Sequence, residues 1–170
     1  YMVDAWGTKF HKEHEHEFPS CAYCGRLIPP QQQEHPRRRD GEERCPVCRS
    51  TAIETASEAQ PIFRSLVQWI SAQGLRYNSL PLRLELVDRP KLAQLLSVKA
   101  EPHTLGATIS STYAQSDGQL VRTEVSGVAV LQGLPSMLFQ GVAVHELGHV
   151  WLTVHTILSL PPWAEEGFCE

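Results

Sequence analysis

No apolar run in this 170-residue chain is long enough to cross a bilayer. Basic residues are not in excess: 15 Lys and Arg stand against 19 Asp and Glu, for a net charge of -4. That excludes the global positive field on which general nucleic-acid binding draws. The local basic run Arg37-Arg38-Arg39 reads as a solvated loop. There is no internal repeat, and no secretory leader is visible. Cysteine is scarce, at five residues. Residues 1–50 are rich in His, Cys, Pro and charge, with too little apolar content to fold unaided. A unit of that kind needs a staple, and a bound metal is one.

Four of the five cysteines form two CxxC pairs, Cys21-Ala22-Tyr23-Cys24 and Cys45-Pro46-Val47-Cys48. Four thiolates at that spacing suit a closed tetrahedral zinc site. Gly25 and Asp40-Gly41 are turn residues of the kind such knuckles need. Two disulfides are the rival reading, and the missing leader argues against them. A redox CxxC would sit in a βαβ context, which neither pair has. Thiolate ligands without a leader point to a reducing, cytoplasmic setting. Cys169 reads as a small core hydrophobe. His11 and His14 have the HxxH spacing of half a second structural zinc site, with a solvated charged stretch as the alternative.

The richest segment reads Val144-His145-Glu146-Leu147-Gly148-His149-Val150. On a helix, His145 and His149 project from one face and can share a zinc ion, while Glu146 between them stands as general base. The flanks Phe139, Val142, Leu147 and Trp151 are apolar, so the helix is a buried one. Ionisable groups there are costly unless something pairs with them, and a metal does. Further on, Pro161-Pro162-Trp163 ends a loop and Glu165-Glu166-Gly167 starts another helix. Glu166 and Glu165 compete for the third ligand position. Glu166 has Glu170 one turn along, which suggests Glu166 on the metal and Glu170 orienting a histidine ring. Gly148 and Gly167 both leave room for a close approach of the two helices.

The chain divides into a zinc module over 1–50 and an α+β domain over 51–170. The predicted architecture is a small antiparallel sheet packed on the HExxH helix. A helix is expected between Ala52 and Gln73, with Ile62, Leu66, Trp69 and Ile70 on one stripe and Gly74 closing it. Leu82 to Val87 reads as a half-buried strand, followed by a short helix from Pro90 to Leu96. Leu105–Gln115 and Leu120–Leu131 read as a hairpin around Asp117-Gly118. Val125, Gly127 and Ala129 are the expected sheet edge that pairs with an extended substrate, with an interior strand as the alternative.

Taken together, the CxxC pairs and Trp6-Gly7-Thr8-Lys9-Phe10-His11 resemble a LIM domain. A LIM-like module ahead of His145-Glu146-Leu147-Gly148-His149 and Glu165-Glu166-Gly167-Phe168-Cys169 resembles the ubiquitin-activated LIM-peptidases of plant organ-size control, the "DA-one" family. The pattern Pro-Trp-x-x-Glu-Gly is also similar to the gluzincin clan, where the Glu before Gly is the third ligand. The resemblance implies a zincin-like zinc metallopeptidase that acts on protein substrates, with one catalytic and one or two structural zinc ions. It implies a ubiquitin-like or other protein activator, although no ubiquitin-interacting helix is visible. The chain then reads as a short, prokaryote-like relative. Both ends are expected to be incomplete: an opening CxxC would precede Tyr1, and an oxyanion-stabilising residue would follow Glu170. His155 is a weak stand-in for the latter. The alternative reading is a LIM-type adaptor with a non-catalytic peptidase lobe.

Overall fold

The computed structural model of the chain describes residues 1–33, 42–78, 80–96, 104–114, 120–157 and 159–170, and for 14, 15, 112–114 and 120–123 the backbone alone. Two compact units result: Tyr1–Ala52 with Gly133–Ser136, and Ile53–Gln132 with Met137–Glu170.

The first unit has little regular structure because it has little to bury. Strands β1 (Met2–Val3) and β2 (Lys9–Phe10) pair antiparallel. Asp4 closes their loop by accepting from the Trp6 and Thr8 N–H groups. The first CxxC pair folds as a knuckle in which Gly25 takes φ +71°, a conformation costly for other residues. Its Gly25 N–H donates to the Cys21 carbonyl. The second pair opens the short helix α1 (Pro46–Ser50): Cys45 is the N-cap, its sulfur accepts from the Cys48 N–H, and Pro46 occupies the first turn. Ile28 and three of the cysteines, Cys21, Cys45 and Cys48, make the only core cluster described in this unit. Strand β3 (Ala52–Ile53) follows.

The second unit begins with a capping box. Thr55 Oγ1 accepts from the Glu58 N–H, and Glu58 Oε2 accepts from the Thr55 N–H. Helix α2 (Ala56–Ala72) starts there and ends before Gly74, at φ +100°. Strand β4 (Leu84–Val87), helix α3 (Arg89–Leu96), strand β5 (Gly106–Ala114) and strand β6 (Leu120–Leu131) follow. The turn expected at Asp117-Gly118 lies outside the described residues, as do Arg37–Arg39 and Asp40-Gly41. After β7 (Leu134–Pro135) come helix α4 (Ser136–Val154) and helix α5 (Pro162–Cys169). No described helix is long and apolar enough to cross a membrane.

The sheet corrects two expectations. Its order is β4-β6-β5, with β5 antiparallel and β4 parallel to β6, so it is mixed rather than antiparallel. The reason is the crossover through α3, which brings the chain back on the far side of β6. The hairpin β5–β6 is local and shows in alternation; the β4–β6 pairing is not. The second correction follows from the first: the strand that carries Val125, Gly127 and Ala129 is the central one of the three, although Val125 and Gly127 lie before its pairing with β4 begins. Ala129 is paired with Glu85 on one side and Ala107 on the other, and Val125 and Gly127 are buried. Among the described residues the outer strands are β4 and β5. Val128, Val130 and Leu131 are fully buried, as are Phe139, Ala143, Leu147 and Val150 of α4.

Gly127 is required where β4 meets β6. A Cβ there would lie 2.6 Å from the Arg83 carbonyl oxygen, which accepts from the Val128 N–H. Gly127→Ala should therefore destabilise the domain by about 1–3 kcal/mol, the usual cost of forced overpacking. The check is the denaturant midpoint at unchanged slope. An unaltered midpoint would contradict the close approach of the Arg83 backbone.

Candidate metal centres

Two groups of side chains have the donors and spacing of metal sites: Cys21, Cys24, Cys45 and Cys48, and His145, His149 and Glu166. Within each, the candidate ligand atoms lie within 4.8 Å of one another.

The cysteine group tests well against zinc. A tetrahedral ion with Zn–S bonds of about 2.3 Å separates its sulfurs by about 3.8 Å. Cys24 Sγ and Cys45 Sγ are 3.7 Å apart. All five cysteines are free thiols, so this distance is not a disulfide. Burial raises the Cys48 thiol and neighbouring sulfurs raise it further. Burial also acts to raise Cys21, but backbone hydrogen bonds at Cys45, Tyr23 and Cys24 bring it down to about 7. Four thiols so crowded cannot all ionise unless a cation sits among them. The expected second structural site fares differently. His11 is exposed and joins no group of three or more metal-capable side chains among the described residues. The His14 side chain lies outside the described residues.

The histidine group is built by one turn of α4 and the start of α5. His145 and His149 are i and i+4, and their Nε2 atoms face each other at 3.1 Å. Glu166 Oε2 is 3.4 Å from His145 Nε2, and Glu166 Oε1 is 3.8 Å from His149 Nε2. Ligand nitrogens around a tetrahedral zinc, at bonds of about 2.0 Å, lie about 3.3 Å apart. The donor set and these separations fit zinc.

One expected role changes hands. The carboxylate that orients His149 is Glu165, with Oε1 3.1 Å from Nδ1. Glu170 is exposed, and its backbone N–H donates to the Glu166 carbonyl. Spacing within α5 favoured Glu170, but the crossing of α5 over α4 decides. The ring nitrogen of His149 that points away from the ligand position meets the first turn of α5, where Glu165 sits. A partner there fixes ring and tautomer.

Glu146 is 7% exposed. Burial raises its carboxyl pKa, against the lowering effect of the Thr108 hydroxyl and the two histidines. Thr108 Oγ1 lies 3.0 Å from both Glu146 Oε2 and the Glu146 carbonyl oxygen and donates to them. Residue alternation puts Gly106 on the same face of β5 as Thr108. A Cβ on Gly106 would come 2.9 Å from Glu146 Oε1 and 2.7 Å from Val142 Cγ1. Thr108 and Gly106 were not foreseen from the sequence. A Gly two residues before a Thr on one strand face is their only local trace.

Gly148 has the close-approach role expected of it. A Cβ there would meet Cys169 Sγ at 2.8 Å and Cys169 Cα at 3.1 Å. Gly167 does not share that role, since a Cβ there meets nothing within 4 Å. Cys169 is buried in this contact, and its thiol is pushed up to about 12 by burial and by the nearby carboxylates of Glu166, Glu165 and Glu146. Cys169 is one turn beyond Glu166, so the Gly148–Cys169 contact sets how far α5 reaches over α4. His155, the weak oxyanion candidate, stacks on Trp151 at 4.4 Å and has Nε2 3.0 Å from the Arg76 carbonyl.

Two outcomes follow. Gly148→Ala should raise intrinsic helix propensity by about 1 kcal/mol, yet weaken zinc at the histidine group by about 10-fold or more through the displaced carboxylates. Chelator competition reads this, and Gly148→Ala/Cys169→Gly should recover part of the loss. Unchanged affinity in the single variant would sink the contact's role. Cys45→Ser should leave Tyr1–Ala52 open to limited proteolysis, because a closed thiolate site contributes its binding energy to folding. A resistant unit would contradict the structural role of the cysteine group.

Comparison with known proteins bears on the same helices. Residues 91–170 match the family model described as DA1-like: Protein DA1. Over 97% of its length the chain is 26% identical to the LIM domain-containing protein HDR3 of Oryza sativa subsp. japonica, covering 38% of that protein. Protein DA1-related 1 and Protein DA1 of Arabidopsis thaliana are 25% and 23% identical over the same share of the chain, which covers 34% and 36% of them. The chain thus spans about a third of the length of these relatives. No solved structure matches it. Residues 91–170, with both helices that carry the histidine–glutamate group, are similar to the DA1-like family, and the chain as a whole is similar to DA1 and DA1-related proteins.

Proposed function

We propose that the chain is a zinc-dependent peptidase of gluzincin type with a zincin-like lobe and a LIM-like structural zinc module, acting on protein substrates in the cytoplasm. One observation carries the reading: a buried, hydroxyl-anchored Glu146 lies directly beside the converging nitrogens and carboxylate of His145, His149 and Glu166. A hydrolytic metal site needs a held carboxylate that is neither a ligand nor bonded to a ligand ring, to serve as base.

His145, His149 and Glu166 would hold the zinc, which when bound supplies Lewis acidity to a water and to the scissile carbonyl. Glu165 keeps the His149 ring in place through Nδ1. Thr108 occupies one oxygen of Glu146, leaving Oε1 as the base. Glu146 takes a proton from the attacking water as the oxygen bonds to the carbonyl carbon. It then gives that proton to the amine nitrogen as the C–N bond breaks. The general base must ionise in a buried place, and the neighbouring histidines and Thr108 act in that direction. The outer edge of β5, which pairs with no other strand among the described residues, offers backbone groups to an extended substrate beside Glu146. A protein activator of ubiquitin-like kind belongs to the same proposal, by similarity to the family.

Glu146→Gln keeps the shape of the side chain but cannot accept a proton. It should bind zinc at both groups as wild type does and lose peptide hydrolysis by at least about 100-fold. Hydrolysis at the wild-type rate would overturn the mechanism. A wild-type chain loaded with zinc that cuts no peptide or protein would favour the adaptor reading instead. Thr108→Val should lower kcat more than it raises KM, since Thr108 acts on the base and not on the substrate.

A further inference from the structure

The loop that follows α2 reaches across to the helix that carries the histidine group. It leaves α2 at Gly74 and turns at Asn78, whose φ of +49° is left-handed. Asparagine tolerates that conformation better than most residues do. The Leu80 N–H closes the turn by donating to the Tyr77 carbonyl. With the chain so turned, Tyr77 points inward. It is buried, and its hydroxyl donates to the Leu147 carbonyl oxygen over 3.3 Å. One residue earlier, the Arg76 carbonyl accepts from His155 Nε2 at 3.0 Å. The loop therefore grips α4 twice, once at the His145–His149 turn and once at its end.

Leu147 is the residue midway between His145 and His149. At about 100° per residue it lies on the opposite side of the helix from the two imidazoles. In the helical ladder its carbonyl also accepts from the Trp151 N–H. A second donor draws such a carbonyl outward and lengthens the ladder bond on that side, so the helix becomes convex there. The concave side then carries the two histidines, and their Nε2 atoms converge to 3.1 Å. The hydroxyl is well kept for this task. Tyr77 borders a mostly apolar cavity of about 230 Å3, together with Val144, Gly148 and Cys169. Burial pushes its phenol up to about 12, so the group stays a donor. On the reading that His145, His149 and Glu166 hold zinc, we propose that Tyr77 is a positioning residue for that ion. By holding the Leu147 carbonyl it curves the metal-binding turn and brings both imidazoles onto one point. It acts through the backbone of α4, not on a ligand side chain.

Tyr77→Phe removes the hydroxyl and keeps the ring. Zinc is withdrawn from the full chain by graded chelator while the Cε1–H resonances of His145 and His149 are followed by NMR. Those resonances read the histidine group apart from the cysteines. Tyr77→Phe should weaken zinc there by about 10-fold, the low end of what losing a partner behind a metal ligand costs. Phe63→Leu is the control for lost stability alone. Phe63 is buried in α2, and shortening it leaves the Tyr77–Leu147 bond in place. That variant should hold zinc as wild type does. Equal affinity in Tyr77→Phe and wild type, or an equal loss in Phe63→Leu, overturns the proposal.

The Trp151 backbone amide gives a second readout that a merely structural role would not produce. Without the hydroxyl, the Leu147 carbonyl returns to the ladder and its bond from the Trp151 N–H shortens. The Trp151 amide proton should therefore move downfield in Tyr77→Phe. A looser helix would move it upfield instead. An upfield or unmoved resonance overturns the proposal. Wild type without zinc at the histidine group overturns the metal reading, and this proposal with it. A tight wild-type site that Tyr77→Phe leaves unchanged overturns this proposal alone.

Discussion

Two imidazole nitrogens facing each other at 3.1 Å on one turn of helix are held there against their own preference. In the absence of a cation, one must donate to the other or both must turn away, and a buried carboxylate at the intervening residue adds an ionisable group to a poorly solvated place. A divalent ion bound by His145, His149 and Glu166 removes that conflict at a stroke. Most of the second unit can be understood as the means of keeping α5 and β5 close enough to α4 for this to happen. Gly148 admits the backbone of α5, Gly106 admits the carboxylate of Glu146, and Thr108 ties that carboxylate down.

The same logic of close approach extends to the sheet. Gly127 lets the Arg83 carbonyl close on β6, which holds β4 parallel to β6 and leaves β5 as an outer strand. Had β6 been the edge, the strand carrying Thr108 would have been interior, and no backbone edge would border Glu146. The first unit obeys a different rule. Apart from three of its cysteines it buries few described side chains, among them Leu27, Ile28, Arg44 and Leu134, so its order leans on what those sulfurs bind. Arg44, next to Cys45 and buried, donates to the Gly133 carbonyl, and the Ser136 N–H donates to the Thr51 carbonyl. The segment just ahead of the α4 interior thereby belongs to the unit that carries the cysteines.

What could be read from the residues were features whose cause is local. The i, i+4 histidines, the two CxxC pairs, the capping box at Thr55 and the alternation of β5 and β6 each depend on neighbours within a few positions. Features that depend on how elements cross were not legible. Glu165 rather than Glu170 meets His149 because of the crossing of α5 over α4, which no spacing within α5 encodes. The parallel β4–β6 pairing needs the path of α3, and the edge assigned to Val125, Gly127 and Ala129 failed with it. Gly167 looked as suited as Gly148 to a close approach, and only the packed helices distinguish them. The similarity to DA1-like proteins covers both metal-capable helices but about a third of those proteins' length, so it bears on the site more than on the whole activity.

Metal stoichiometry is the most direct test of the central claim, that His145, His149 and Glu166 hold a zinc ion distinct from that of the cysteines. Elemental analysis of the folded chain should find two zinc ions per chain in wild type and one in His149→Ala, with the cysteine-bound ion retained. One zinc in both proteins, or two in both, would contradict it.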